Sequence, residues 1–235
     1  MYKKHDATTI PEDLNTMIWR YMDFTKFVSL LAHNKLFFTR ADKFRDPYEG
    51  TPSFYNKRTS KLAQVTIESA ERLYKGNKKN VLISCWHMNN YESAAMWDLF
   101  LKTNEGIAIQ TTVGKLMDSF NDAEEDILIS KVHYIDLDKE LMPEGYLIYP
   151  FIHKRKSFMH EQEIRAIHID LGDFDRLPPH YEFGKNIKVN LDVLIERIYV
   201  APDAPKHFGE LVNYITKKYD LDKPIQHSTL YELPK

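Results

Sequence analysis

The chain has a single cysteine, Cys85, in 235 residues, so it can form no internal disulfide and no cysteine-rich zinc site. None of its eight glycines sits in a glycine-rich strand-to-helix turn, which excludes a dinucleotide fingerprint and a phosphate-binding P-loop. The ten histidines form no His-Glu-x-x-His or His-x-x-x-His pair, and no metal is expected. No apolar run approaches the roughly 18 residues of a membrane span. Charge is nearly balanced, with 32 Lys and Arg against 34 Asp and Glu, so bulk attraction to nucleic acid or membrane is not expected. No apolar run follows Met1-Tyr2-Lys3-Lys4, so no signal peptide is read there and the expected compartment is the cytoplasm.

What is present is ample core material. The hydrophobic fraction is 43%, with 14 Tyr and 13 Phe. At this length a core forms without staples, and one domain over 16–235 is expected behind a flexible lead-in, 1–15. Strand patterns are expected over 17–22, 36–39, 81–86, 107–110, 127–135, 164–169, 197–200 and 225–230. Helical spacing marks 23–33, with Asp23 as cap and Asn34 as stop, and also 59–75, 91–102, 116–120 and 204–219. Residues 145–157 lean helical despite Pro150. Strands and helices mingle without steady alternation, which predicts an α+β fold with a mixed, largely antiparallel sheet flanked by helices.

Three charged clusters sit on otherwise hydrophobic elements: Phe44 to Gly50, Glu92 to Trp97, and Glu161 to Arg165. Carboxylates and guanidiniums beside large apolar groups resist burial unless paired, so the clusters point to one polar site built from distant segments. In an extended segment Glu161, Glu163, Arg165, Ile167 and Ile169 share a face that starts charged and turns apolar. Glu163 is then a candidate base or cation stabiliser oriented by Arg165. The plainer reading is a surface pair worth at most ~1 kcal/mol.

Asp46 and Glu49 are candidate ligand contacts, although Asp46-Pro47 is also a ready-made turn. Arg20 and Tyr21 point to opposite faces of the first strand, and Arg20 needs acceptors such as phosphate or carboxylate. Glu92 suits the first turn of a helix. Trp86 and Trp97 are candidate stacking platforms, with core packing the simpler role for both. The basic run His153 to Lys156 could meet phosphates, although such runs are usually solvated.

Arg20-Tyr21 with Leu36 to Phe38, Arg40 to Gly50, Cys85 to Met88, Glu92 to Trp97 with Glu105 to Ile109, and Lys154 to Phe158 with Glu161 to Arg165 resemble a bacterial and phage family, domain of unknown function 2971. The resemblance runs in order from about residue 17 to Leu230 and places Arg40 among the site residues. A fainter similarity is to ADP-ribosyltransferase-like domains, from the order Arg20, helix 23–33, strand 36–40 and Glu163. It implies an enzyme that grips NAD without a glycine loop: Arg20 on the diphosphate or ribose, Tyr21 or Trp86 on the nicotinamide, and Glu163 at the oxocarbenium-like transition state. A protein or nucleic-acid target would accept the group. The sequence lacks the Ser-Thr-Ser strand of such domains. Two other readings remain open: a metal-assisted nuclease using Asp46, Glu49 and Glu163, and a nucleotide-sensing or interaction module with an aromatic pocket around Trp86 and Trp97.

Overall fold

A computed structural model describes residues 1–59, 77–101, 103–172 and 181–233. In chain order the elements are β1 (Met17–Asp23), α1 (Phe24–His33), β2 (Lys35–Arg40), α2 (Phe54–Thr59), β3 (Val81–Met88), α3 (Ala94–Phe100), β4 (Gly106–Thr112), α4 (Val113–Asp118), β5 (Leu128–Lys131), β6 (His133–Ile135), β7 (His153–Arg155), β8 (Glu163–Ile169), β9 (Gly184–Lys188), α5 (Leu191–Leu194), β10 (Arg197–Val200), α6 (Lys206–Lys218) and β11 (Ile225–His227). Local chemistry sets several of these ends. Asp23 accepts the amide of Lys26 at the start of α1, and Asn34 closes the helix with φ 50°. Ser93 likewise caps α3.

Nine of the described strands form one α+β sheet, antiparallel except where β10 and β11 run parallel. Its order has a fork. Strand β3 carries β8 along one edge, with β5 outside it. Along its other edge β3 meets two strands in succession: β1 at Met88 and His87, then β2 at Ile83 and Leu82. From the fork one limb continues through β4, β10 and β11, the other through β9. A separate two-stranded sheet joins β6 and β7 in parallel. The main core gathers Ile18, Phe27, Leu31, Trp86, Ile109, Ile164 and Phe208, all nearly without exposure.

The expected strand over 127–135 breaks at Val132, and its two halves join different sheets. The helical lean of 145–157 is overturned. Pro150 sits in a 3-10 turn (Tyr149–Phe151), and β7 follows because its backbone pairs with β6; a second 3-10 turn, Lys156–Glu161, leads into β8. Beyond Thr59, the helix expected over 59–75 lies outside the described residues. The lead-in is held at several points: Tyr2 bridges Ile127, the amide of Thr9 donates to Ser130 Oγ at 3.0 Å, and Ala7 is buried.

Candidate active site

Register decides which side chains meet. Glu163 lies opposite His87, and Arg165 opposite Cys85. Trp19 lies opposite His87, so Trp19 and Tyr21 share that face by the two-residue period. Gln162, at φ 41°, turns the chain from the preceding 3-10 turn into β8 and leaves Glu161 beside Glu163.

Arg165 has no exposed side-chain surface. Its Nε donates to Glu163 Oε2 at 2.8 Å and its Nη2 to Glu163 Oε1 at 3.0 Å. Nη1 donates to Glu49 Oε1 at 2.5 Å and to the Phe151 carbonyl at 2.7 Å. From β7, Lys154 Nζ donates to Glu163 Oε1 at 2.7 Å and to Glu161 Oε2 at 2.6 Å. The Phe158 ring lies 4.7 Å from this ammonium. The amide of Glu163 donates to Tyr134 Oη at 2.8 Å. Three carboxylates therefore share two cations in a space almost closed to water.

That imbalance separates the two glutamates. Burial would raise Glu163, but Arg165 and Lys154 outweigh it and hold the carboxyl well below its ordinary range. Burial and the adjacent Glu163 carboxylate raise Glu161 to about 7, against the pull of Lys154. Its side chain keeps 13% exposure, at the rim of the cluster. Burial also lowers His87, whose Nδ1 must be the donor to the Glu161 carbonyl, 2.7 Å away. Tyr134 is raised by burial and by Glu163.

Glu49 reaches the cluster from the turn that Asp46 builds. Asp46 accepts the amide of Tyr48 at 3.0 Å and takes Arg155 on both oxygens, at 2.8 and 3.2 Å. The ring of Tyr48 stacks 4.5 Å from that guanidinium. Gly50 follows at φ 66°, where a Cβ would stand 2.4 Å from the Phe151 ring. The structure thus brings Glu49, Glu163 and Arg165 together, with Asp46 alongside through Arg155, next to Lys154.

The other sequence-selected residues stand elsewhere. Arg20 lies on the opposite face of the sheet from Glu163, inside the fork. It donates to Ser84 Oγ, to the Cys85 carbonyl at 3.4 Å and to the Phe37 carbonyl at 3.0 Å, above the Trp86 ring. The expected convergence of Arg20 with Glu49 and Glu163 therefore does not occur, because strand parity puts Arg20 with Ser84 and Trp86. Trp86 and Trp97 are buried, at 1% and 2% exposure, and present no free ring face. Tyr21 is also buried, packing edge-on to Trp97 at 4.8 Å while its hydroxyl accepts the amide of Ser93. Glu92 ties α3 to the C-terminal segment, accepting Trp97 Nε1 at 3.0 Å and Ser228 Oγ at 2.6 Å. Arg40 is paired with both oxygens of Asp42 and with the Tyr181 carbonyl. Open hollows lined by Asn56, Met142 and Glu144 and by Lys206, Lys223 and His227 contain none of the clustered residues.

Sequence reading missed Lys154 and Tyr134. Lys154 lies in a run of basic residues of the kind that is usually solvated; the signal available was the apolar pair Phe151-Ile152, which precedes His153 and Lys154. Tyr134 gave no signal. Among the described residues no group of three or more His, Cys, Asp or Glu side chains is placed to hold a metal ion, and none of the described helices is long and apolar enough to cross a membrane.

No protein-family model matches the chain, and no curated protein matches it. Among solved structures it is similar to Thermus sp. 2.9 DarT in complex with NAD+, at 9% identity and a TM-score of 0.41, over 94% of this chain and 98% of that one. The carba-NAD+ complex of Thermus sp. 2.9 DarT gives 10% identity and a TM-score of 0.42, over 93% and 96%. At such scores nothing about the site is carried across.

Proposed function

We propose that the chain is an NAD-using enzyme of ADP-ribosyl-transfer type, with a protein or nucleic acid as acceptor. The observation that supports this is the arrangement of Glu161 and Glu163: both carboxylates share Lys154, Arg165 locks Glu163 inside the cluster while Glu161 stands at the rim, and their acid strengths are driven apart accordingly. Such a division assigns one group to hold charge and the other to move a proton. In the proposed reaction the bond between nicotinamide and ribose C1′ breaks and nicotinamide leaves neutral. Positive charge then develops on the ribosyl carbon, facing the permanently ionised Glu163. An acceptor N–H or O–H attacks that carbon and passes its proton to Glu161. Arg165 positions Glu163, and Glu49 shares the charge of Arg165. Arg20, on the opposite face, has no part in holding the diphosphate.

Nicotinamide release from NAD, followed by chromatography, tests the reading. Wild-type protein should release it, and Glu163→Gln should lower the rate by about 10²–10³-fold. Absence of NAD binding at millimolar ligand would sink the proposal.

A further inference from the structure

Glu163 is 5% exposed and both of its oxygens are taken, so the site as it stands is shut. One atom indicates how it opens. Glu49 Oε2 is buried without a hydrogen-bond partner, while its other oxygen is held by Arg165. A buried carboxylate oxygen left without a donor is costly, so something nearby is expected to complete it. The ammonium of Lys154 is 4.0 Å away. We propose that Lys154 is a positioning residue with two seats, one on Glu161 and Glu163 and one on Glu49 Oε2, and that its transfer to the second admits substrate to Glu163.

The geometry makes the exchange small. A shift of roughly 1 Å brings Nζ to hydrogen-bond distance of Glu49 Oε2. The ammonium keeps a carboxylate partner throughout, and the group that gives up its cation is Glu161, at the rim of the cluster with 13% of its side chain exposed. The Phe158 ring stays beneath it as an apolar floor. Glu163 Oε1, relieved of Lys154, keeps only the bond from Arg165 Nη2 and regains room to accept a ribose hydroxyl, while Arg165 still fixes the carboxylate through both oxygens. The arrangement also gives Glu49 a role that the turn alone does not explain. This inference rests on the proposed reaction for the identity of the ligand but not for the lysine movement itself.

Two measurements test it. NAD affinity by calorimetry should fall about tenfold in Glu49→Gln, and that loss should vanish in a Lys154→Met background. An equal loss in both backgrounds overturns the proposal. Because Lys154→Met leaves carboxylates uncompensated and can fail to fold, the ammonium itself is read by ¹⁵N relaxation dispersion at Lys154 Nζ. Exchange in the ligand-free wild type that disappears in Glu49→Gln supports two seats; a single rigid position with and without NAD overturns them. Exchange in a wild-type protein that neither binds nor consumes NAD sinks the reaction and leaves the two-seat lysine standing.

Discussion

A carboxylate that stays ionised beside one that titrates near neutrality gives each residue its own signature. If Glu161 takes the acceptor's proton, activity must rise with pH through about 7 as that carboxyl ionises. Rate profiles of nicotinamide release between pH 5 and 9 should lose this limb in Glu161→Gln; an unchanged profile would remove Glu161 from the chemistry. Arg165 makes a different prediction. It is fully enclosed and compensates two carboxylates, so Arg165→Met should destabilise the fold by about 3–5 kcal/mol, measured by urea denaturation. A loss under 1 kcal/mol would mean that the enclosed charges relax into solvent at little cost. Glu163 and Arg165 were readable from the strand alternation of 161–169, because parity alone places them together. Lys154 was not, since a lysine inside a basic run looks the same whether its neighbours are water or carboxylates.

At the level of elements, the fork in the sheet explains Arg20. Where β1 and β2 part along one edge of β3, Arg20 spans the gap, donating to carbonyls on β3 and β2. Arg20→Gln should therefore cost about 1–3 kcal/mol through unsatisfied groups while leaving NAD affinity unchanged. A selective loss of NAD binding without loss of stability would return Arg20 to the ligand site. The sequence order Arg20, helix, strand, Glu163 was legible and the elements lie near the expected bounds. Order along the chain does not report which face a residue takes once the strands are paired. The same limit applied to 145–157, where pairing with β6 overrode a helical pattern. Gly50 is a further element-level test: at φ 66° and against the Phe151 ring, Gly50→Ala should displace Glu49 and lower the thermal midpoint.

Across the whole molecule the cluster sets opposing pH trends. Glu161 has a native value near 7 against an ordinary 4.5, so its contribution to stability is complete below 4.5 and is lost as pH rises through 7. Glu163 runs the other way: its contribution is present above the ordinary value and is lost as pH falls through its depressed native value. Urea midpoints in the wild type should decline between pH 5 and 7 relative to Glu161→Gln, and the two proteins should share their acid unfolding limb. The fold class itself was legible, since the mixture of short strands and helices left few ways to bury both; the fork was not, because no single strand encodes it.

The limb of the sheet that ends at β9 carries Lys185 and Lys188, placed opposite Phe38 and Lys35. A terminal strand offers unpaired amides and carbonyls to any passing strand, and lysines along it make such docking costly in charge and desolvation. Of the two lysines, Lys185 is engaged by Glu125 at 2.9 Å while Lys188 stands exposed, so replacing Lys188 by threonine should leave the chain folded yet more prone to associate with its own copies, read by light scattering.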